Sequence, residues 1–334
     1  MSILYIIGNG FDLAQGLKSR YKDFYPYYLE RKSPNKAVQL LKDEINSNIE
    51  DWADMELALG KFTEKVGSES LMEELYYNLS DELTAYLQTE IKKKKFAQSN
   101  KILNDLFEPY RYLEPMDQRT YQDHFRRLSD GDKTSITFNI ITLNYTDTIE
   151  KLTGYPQESS KTYNRLYYVV KNICHRHGRL GDTILLGVDN DKQIANESFK
   201  QNRSVIDYLV KPASITSMRS DNDMLCKSMI KDAEIIILFG VSLGETDACL
   251  WRDVVKTLDR NNPALLVYFH HSLESIPPTR KQLLGRKEEE VRRFLYQRLG
   301  VPEKHQSDRN ILVGYNKGIF VDKKAAETNT DLSS

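Results

Sequence analysis

The chain of 334 residues is long enough for one large core with an insertion or for two domains. It carries 47 basic and 48 acidic side chains, with 40% hydrophobic and 28% charged residues. That balance excludes a disordered chain and a general polyanion-binding surface, and gives no strong nucleic-acid signal. Three widely spaced cysteines, Cys174, Cys226 and Cys249, argue against a disulfide framework and for a reducing, cytoplasmic setting. No apolar run approaches the ~20 residues needed to span a bilayer, so no membrane partner is expected. The start, MSILYIIGNGFD, lacks a basic flank and reads as a first strand, not a signal peptide.

In chain order, Ile3 to Ile7 is a continuous apolar run that stops at Gly8-Asn9-Gly10, as a buried central strand does when it empties into a tight turn. The glycines there permit unusual backbone angles, and the following residues can present helix N-terminal N–H groups to an anion. A dinucleotide fingerprint would place a third glycine where this chain has Leu13. From Leu13 to Lys133 no strand is expected. Helical spacing dominates, clearest in Leu71, Leu75, Leu79, Leu83, Leu87 and Ile91, with Ser68 as N-cap and Lys92 to Lys95 as a solvated C-terminal charge run. Asp54 and Glu56, two apart on a supposed helix, face different directions and make a poor catalytic pair.

Strand signals return with Thr134 to Leu143, ending in Asn144-Tyr145-Thr146-Asp147, and with Leu166 to Cys174, ending in His175-Arg176-His177-Gly178. Ile184 to Leu186 ends at Gly187, and Glu234 to Phe239 ends in Gly240-Val241-Ser242-Leu243-Gly244-Glu245-Thr246-Asp247. Ala264 to Phe269 and Ile311 to Val313 add strands around a helix from Pro278 to Leu299, closed by Gly300. The expected class is α/β with a parallel core from residues 1–12 and 133–322, a helical insertion at 13–132, and a disordered tail at 323–334. In such a sheet the carboxyl ends of the strands share one edge, so these separate clusters meet in one crevice.

The ordered set IIGNGFD, TLNYTDTIE, HRHG and LFGVSLGETD resembles the AbiH-like abortive infection proteins of bacteria, which in turn look similar to sirtuin-like domains of phage defence. The resemblance spans Ile6 to about Asp247. It implies a Rossmann-like, mostly parallel sheet that handles NAD as substrate or ligand, with Asn144 and His177 as reactive residues. It also implies that Gly8, Asn9, Gly10 and Asp12, together with Asp147, Gly240, Ser242 and Asp247, hold the nucleotide. Asp147 stands one place later than the usual aspartate after the Asn-Tyr pair, and Leu13 replaces the third glycine; both departures bear on catalysis more than on fold. The expected partners are a nucleotide, a phage-derived trigger and further copies of the chain.

The residue types suit cleavage of the nicotinamide–ribose bond, which passes through an oxocarbenium-like state. An asparagine donates and accepts hydrogen bonds without adding charge, and a histidine with an ordinary pKa near ~6.5 can take a proton. His175, two residues before His177, would point the same way in an extended segment. A zinc site at Cys174, His175 and His177 is disfavoured, because Cys174 faces the other way and no second cysteine pair exists; no metal is expected. Two other functions stay open: a non-catalytic nucleotide sensor, and a serine hydrolase with Ser242 in the Gly240-x-Ser-x-Gly244 turn and His270, His271 or His305 as base.

Overall fold

The computed structural model describes residues 1–129, 135–157, 159–163, 166–272, 274, 276–277, 279–306 and 310–321. Thr134, Pro278 and the tail 323–334 lie outside them. The strands are β1 (Ser2–Ile7), β2 (Ser135–Thr142), β3 (Ser160–Tyr163), β4 (Leu166–His175), β5 (Ile235–Phe239), β6 (Leu265–His270) and β7 (Ile311–Tyr315). They form one sheet in the order β3-β4-β2-β1-β5-β6-β7, parallel throughout except for the antiparallel edge strand β3. Without β3, the parallel strands run 3-2-1-4-5-6 in their own sequence order. That is the doubly wound order of Rossmann-type sheets, whose direction of winding reverses next to the first strand.

The central position of β1 explains its sequence. Ile3, Leu4, Tyr5, Ile6 and Ile7 are all fully buried, because helices cover both faces and alternation has no solvent side to report. Leu4 and Ile6 face one layer, with α12 (Asn222–Asp232), α13 (Ala248–Lys256) and α14 (Lys281–Leu299). Ile3, Tyr5 and Ile7 face the other, with α6 (Asn100–Phe107), α7 (Pro115–Ser129) and α8 (Thr148–Thr153). The registers align Ile7 with Thr142 and Phe239, and Thr142 with His175, so β1, β2, β4 and β5 end level at one edge.

Above that edge sits a third apolar cluster. It contains α2 (Tyr21–Glu30), α3 (Lys36–Ser47), α4 (Met55–Phe62) and α5 (Glu69–Lys92), which follow the single-turn α1 (Gly10–Ala14). Ser68 caps α5 by accepting from the Leu71 N–H, and Lys93 pairs with Glu90 at its far end. The cluster also takes in Ile184, Leu186, Val188 and Ile194, and residues of α9 (Glu197–Lys200) and α10 (Arg203–Leu209). The layers therefore do not follow the stretch 13–132. Its later helices, α6 and α7, cover a sheet face, while 184–210 joins the helical layer.

The expected strand at Ile184 to Leu186 is not one; Ile184 makes a lone bridge to Gly178. Its apolar side chains are buried in the helical cluster, and Gly178 and Gly187, at φ of +76° and +140°, turn the chain away from the sheet. No helix among the described residues is long and apolar enough to cross a membrane.

Candidate functional site

At the level strand ends the turn after β1 interlocks with the loop after β5. The Gly8 N–H donates to the Phe239 carbonyl and the Gly10 N–H to the Gly240 carbonyl, both at 2.9 Å. A Cβ on Gly8 would stand 2.5 Å from the Gly240 oxygen, and one on Gly10 would stand 2.4 Å from the Gly240 Cα. The glycines at 8, 10 and 240 thus let two backbones touch. Their role as an anion cradle is correspondingly reduced, since the Gly8, Gly10 and Phe11 N–H groups already have carbonyl partners and α1 is only one turn long. By contrast the N–H groups of Val241, Ser242, Leu243 and Gly244 meet no acceptor among the described residues. Gly240 and Leu243 shape that loop with φ of +66° and +55°.

The two turns floor a cleft of about 260 Å³, lined by Gly8, Asn9, Asp12, Asn144, His177, Gly240, Ser242 and Asp247 from the sheet edge. Gly10 and Asp147 do not line it. Gly10 is held against Gly240, and Asp147 pairs with Lys151 at 2.7 Å at the start of α8. Asn9 lines the cleft, but its side-chain amide is engaged with Ser19: Nδ2 donates to the Ser19 carbonyl at 3.0 Å, and Oδ1 accepts from the Ser19 hydroxyl. The opposite wall comes from the helical layer and the turns before it: Ser19, Tyr21, Ala53, Asp54, Glu56, Leu83 and Leu87.

The chemistry concentrates in a buried chain. His177 Nε2 lies 2.8 Å from Asp247 Oδ1, which also accepts from Lys211 Nζ at 3.3 Å; Lys211 Nζ in turn donates to Glu56 Oε2 at 2.8 Å. Burial lowers the His177 pKa below that of an ordinary imidazole, and Lys211 and Arg176 add to this against the pull of Asp247. Burial also opposes the Asp247 charge, yet His177, Lys211 and Arg176 around it hold its carboxyl well below the usual range. Burial works against Lys211 too, and Asp247 and Glu56 more than offset it, raising its pKa. Glu56 is pushed up to about 7 by burial, against the attraction of Lys211. With a proton on Nε2 directed at Asp247, the Nδ1 lone pair of His177, which has no partner among the described residues, is left to accept another.

Asn144 is held from below. Its N–H donates to Thr142 Oγ1 at 3.1 Å, and its carbonyl accepts from His175 Nδ1 at 3.0 Å, while His175 Nε2 meets Glu150 Oε1 at 2.6 Å. His175 therefore does not share the cleft with His177; it braces the Asn144 backbone. The Asn144 side-chain amide has no hydrogen-bond partner among the described residues, although the residue is only 7% exposed. Cys174, on the opposite face, packs its sulfur 3.4 Å from that of Cys226.

The sequence singles out nothing at Lys211, and its spacing sets Glu56 aside with Asp54 as a poor catalytic pair. Asp54 and Glu56 both line the cleft, because Asp54 is not in the helix: it is the N-cap of α4, accepting from the Leu57 N–H at 3.1 Å. Nothing around Lys211 in Leu-Val-Lys-Pro marks it as buried; only the fold brings it to Glu56.

Asp12 is 1% exposed, with one carboxyl oxygen taking the Thr146 hydroxyl at 2.6 Å and the other without a partner. Burial pushes its pKa up to about 6, against the hydrogen bonds from Thr146 and Thr148. A raised carboxyl pKa means the folded state holds a proton that the unfolded state has lost. Stability is then full below the ordinary value near 3.8 and falls as pH rises to about 6. Asp12→Asn is expected to stabilise the protein at pH 8 by roughly 2 to 3 kcal/mol and to have little effect at pH 3.5. Chemical unfolding at the two pH values measures this; equal effects at both would refute it.

The chain is thus an α/β protein with a doubly wound, mostly parallel sheet and a concave, polar-lined cleft at the switch point, where such folds place their ligands. The chain belongs to the bacteriophage abortive infection AbiH family: the model of that family matches residues 4–269, most of the length and every segment of the cleft. A search of curated proteins found no match.

Proposed function

We propose that this protein is a cytoplasmic abortive-infection effector that binds NAD in the cleft and hydrolyses its nicotinamide–ribose bond, giving nicotinamide and ADP-ribose. The observation that carries the proposal is the pairing of His177 with Asp247 at 2.8 Å in the same cleft as the unpartnered Asn144 amide. In the reaction the C–N bond breaks with its electron pair passing to the pyridinium nitrogen, which leaves as neutral nicotinamide. Asn144 holds a ribose hydroxyl or the attacking water by donating and accepting at once. Water adds to the oxocarbenium carbon, and its proton passes to Nδ1 of His177. The N–H groups of Val241 and Ser242, which line the cleft and meet no acceptor among the described residues, are available to phosphate oxygens. At about 260 Å³ the cleft falls just below the roughly 300 to 1,000 Å³ of small-molecule pockets, so it holds one end of a dinucleotide and leaves the other outside.

The direct test incubates the purified full chain with NAD and quantifies both products by chromatography and mass spectrometry. Nicotinamide and ADP-ribose are expected in equal amounts. Retention of intact NAD without products would instead favour a nucleotide sensor. The feature that favours that second reading is the Glu56–Lys211 pair, which ties the helical layer to the site and would transmit occupancy. A serine hydrolase draws less support. Ser242 Oγ hydrogen-bonds no histidine among the described residues, His305 is engaged with Asp259, and His270 stacks on Tyr315.

A further inference from the structure

The lining of the cleft is charged on one side of the ledger only. Asp12, Asp54, Glu56 and Asp247 line it, and among the described residues no lysine or arginine does. Lys211 stands behind the wall, 5% exposed and already committed to Glu56 and Asp247. Arg176, likewise buried, is committed to Asp223. Two of these carboxyl groups are incomplete. Asp12 is 1% and Glu56 7% exposed, and each keeps one fully buried oxygen, Asp12 Oδ1 and Glu56 Oε1, without a hydrogen-bond partner. They sit on opposite walls of the cleft, Asp12 on the sheet edge and Glu56 on α4. Buried polar atoms without partners are rare enough to call for a ligand that completes them.

We propose that this cleft selects its ligand by charge, taking the cationic N-ribosyl-pyridinium end of an oxidised nicotinamide nucleotide in preference to the uncharged reduced ring, with Asp12 and Glu56 as the specificity-determining residues. The inference rests on the nucleotide-binding reading above and adds which end of the molecule enters, and in which redox state. Oxidised and reduced forms share their phosphates, riboses and adenine, so the difference between them isolates the ring charge. A cation a few ångströms from a partly desolvated carboxylate gains far more than it does in water. The positive charge that spreads onto the ribose as the bond breaks meets the same two carboxyl groups. Burial raises the pKa values of Asp12 and Glu56, the latter against the attraction of Lys211, and a cation between them would favour their charged forms.

The experiment measures binding to the full chain by calorimetry with four probes. They are carbocyclic NAD, which keeps the pyridinium but resists hydrolysis, NADH, the 1-methylnicotinamide cation, and neutral nicotinamide. Carbocyclic NAD is expected to bind about tenfold or more tightly than NADH, and 1-methylnicotinamide more tightly than nicotinamide. Asp12→Asn and Glu56→Gln should each bring these ratios toward one. Equal binding of carbocyclic NAD and NADH, or tighter binding of NADH, overturns charge selection while leaving the nucleotide reading intact. Preference for 1-methylnicotinamide without binding of either dinucleotide supports charge selection and removes the dinucleotide. Failure of all four probes overturns both. The wild-type comparison decides the matter even if a variant does not fold.

Discussion

Gly10→Ala is expected to cost roughly 3 to 5 kcal/mol of stability, or to abolish soluble expression, although it adds a single methyl group. The methyl would lie 2.4 Å from the Gly240 Cα and 3.1 Å from its carbonyl oxygen. Both are backbone atoms, fixed by the bond from the Gly10 N–H to the Gly240 carbonyl and by the pairing of β1 with β5. Neither turn can retreat without parting the two central strands. Gly240→Ala should be at least as damaging, since its Cβ would stand 2.7 Å from the Gly10 Cα at a φ of +66°, a region that itself costs a non-glycine residue ~1 kcal/mol or more. Gly285→Ala supplies the control. It lies within α14 with nothing near its Cβ position, and alanine there should stabilise by about 0.5 to 1 kcal/mol. Urea unfolding followed by circular dichroism compares the three. Similar midpoints for Gly10→Ala and wild type would show that the two turns are not interlocked in solution.

These glycines show how far the sequence could be read. Their position after buried apolar runs located the strand ends correctly, because a strand covered on both faces must be continuously apolar and must stop where the chain leaves the sheet. Their purpose was not legible: a glycine needed by a ligand and a glycine needed by a neighbouring backbone look the same until the neighbour is known. The edge strand β3, Ser160–Tyr163, was missed because its four residues carry no apolar period and pair on one side only. Ile184 to Leu186 was read as a strand for the opposite reason. Its apolar run reports burial, and burial among helices leaves the same trace as burial in a sheet. Within the site, the ends of the apolar runs located the clusters that hold Asn144 and His177, and the family resemblance singled out those two residues within them. Lys211 and Glu56, which are 155 positions apart, are joined only through the docking of 184–210 onto the helical layer, a contact that has no local signature.

His177→Ala is expected to reduce NAD turnover by about a hundredfold or more while leaving the fold intact, and Asn144→Ala by a similar factor. Among the described residues His177 supplies the one imidazole nitrogen in the cleft that is not already bonded, and its orientation is fixed by Asp247 at 2.8 Å. Asp247→Asn should therefore also be slow, because an amide can present its N–H to Nε2 and leave the proton on Nδ1, the wrong tautomer for a base. Ser242→Ala should cost less than about threefold, since its hydroxyl is exposed and touches no histidine. A serine-hydrolase mechanism ranks the variants in reverse, with Ser242 indispensable and Asn144 dispensable. The acid limb of the rate profile provides a second reading of the same base. Burial lowers the His177 pKa, so the imidazole stays unprotonated further into acid than a free histidine, and kcat should hold below pH ~6.5 before it falls. Lys211→Met removes one of the cations that depress it, and the limb should then move to higher pH. A limb that stays fixed in Lys211→Met would assign the titration to another group, and with it the role of proton acceptor.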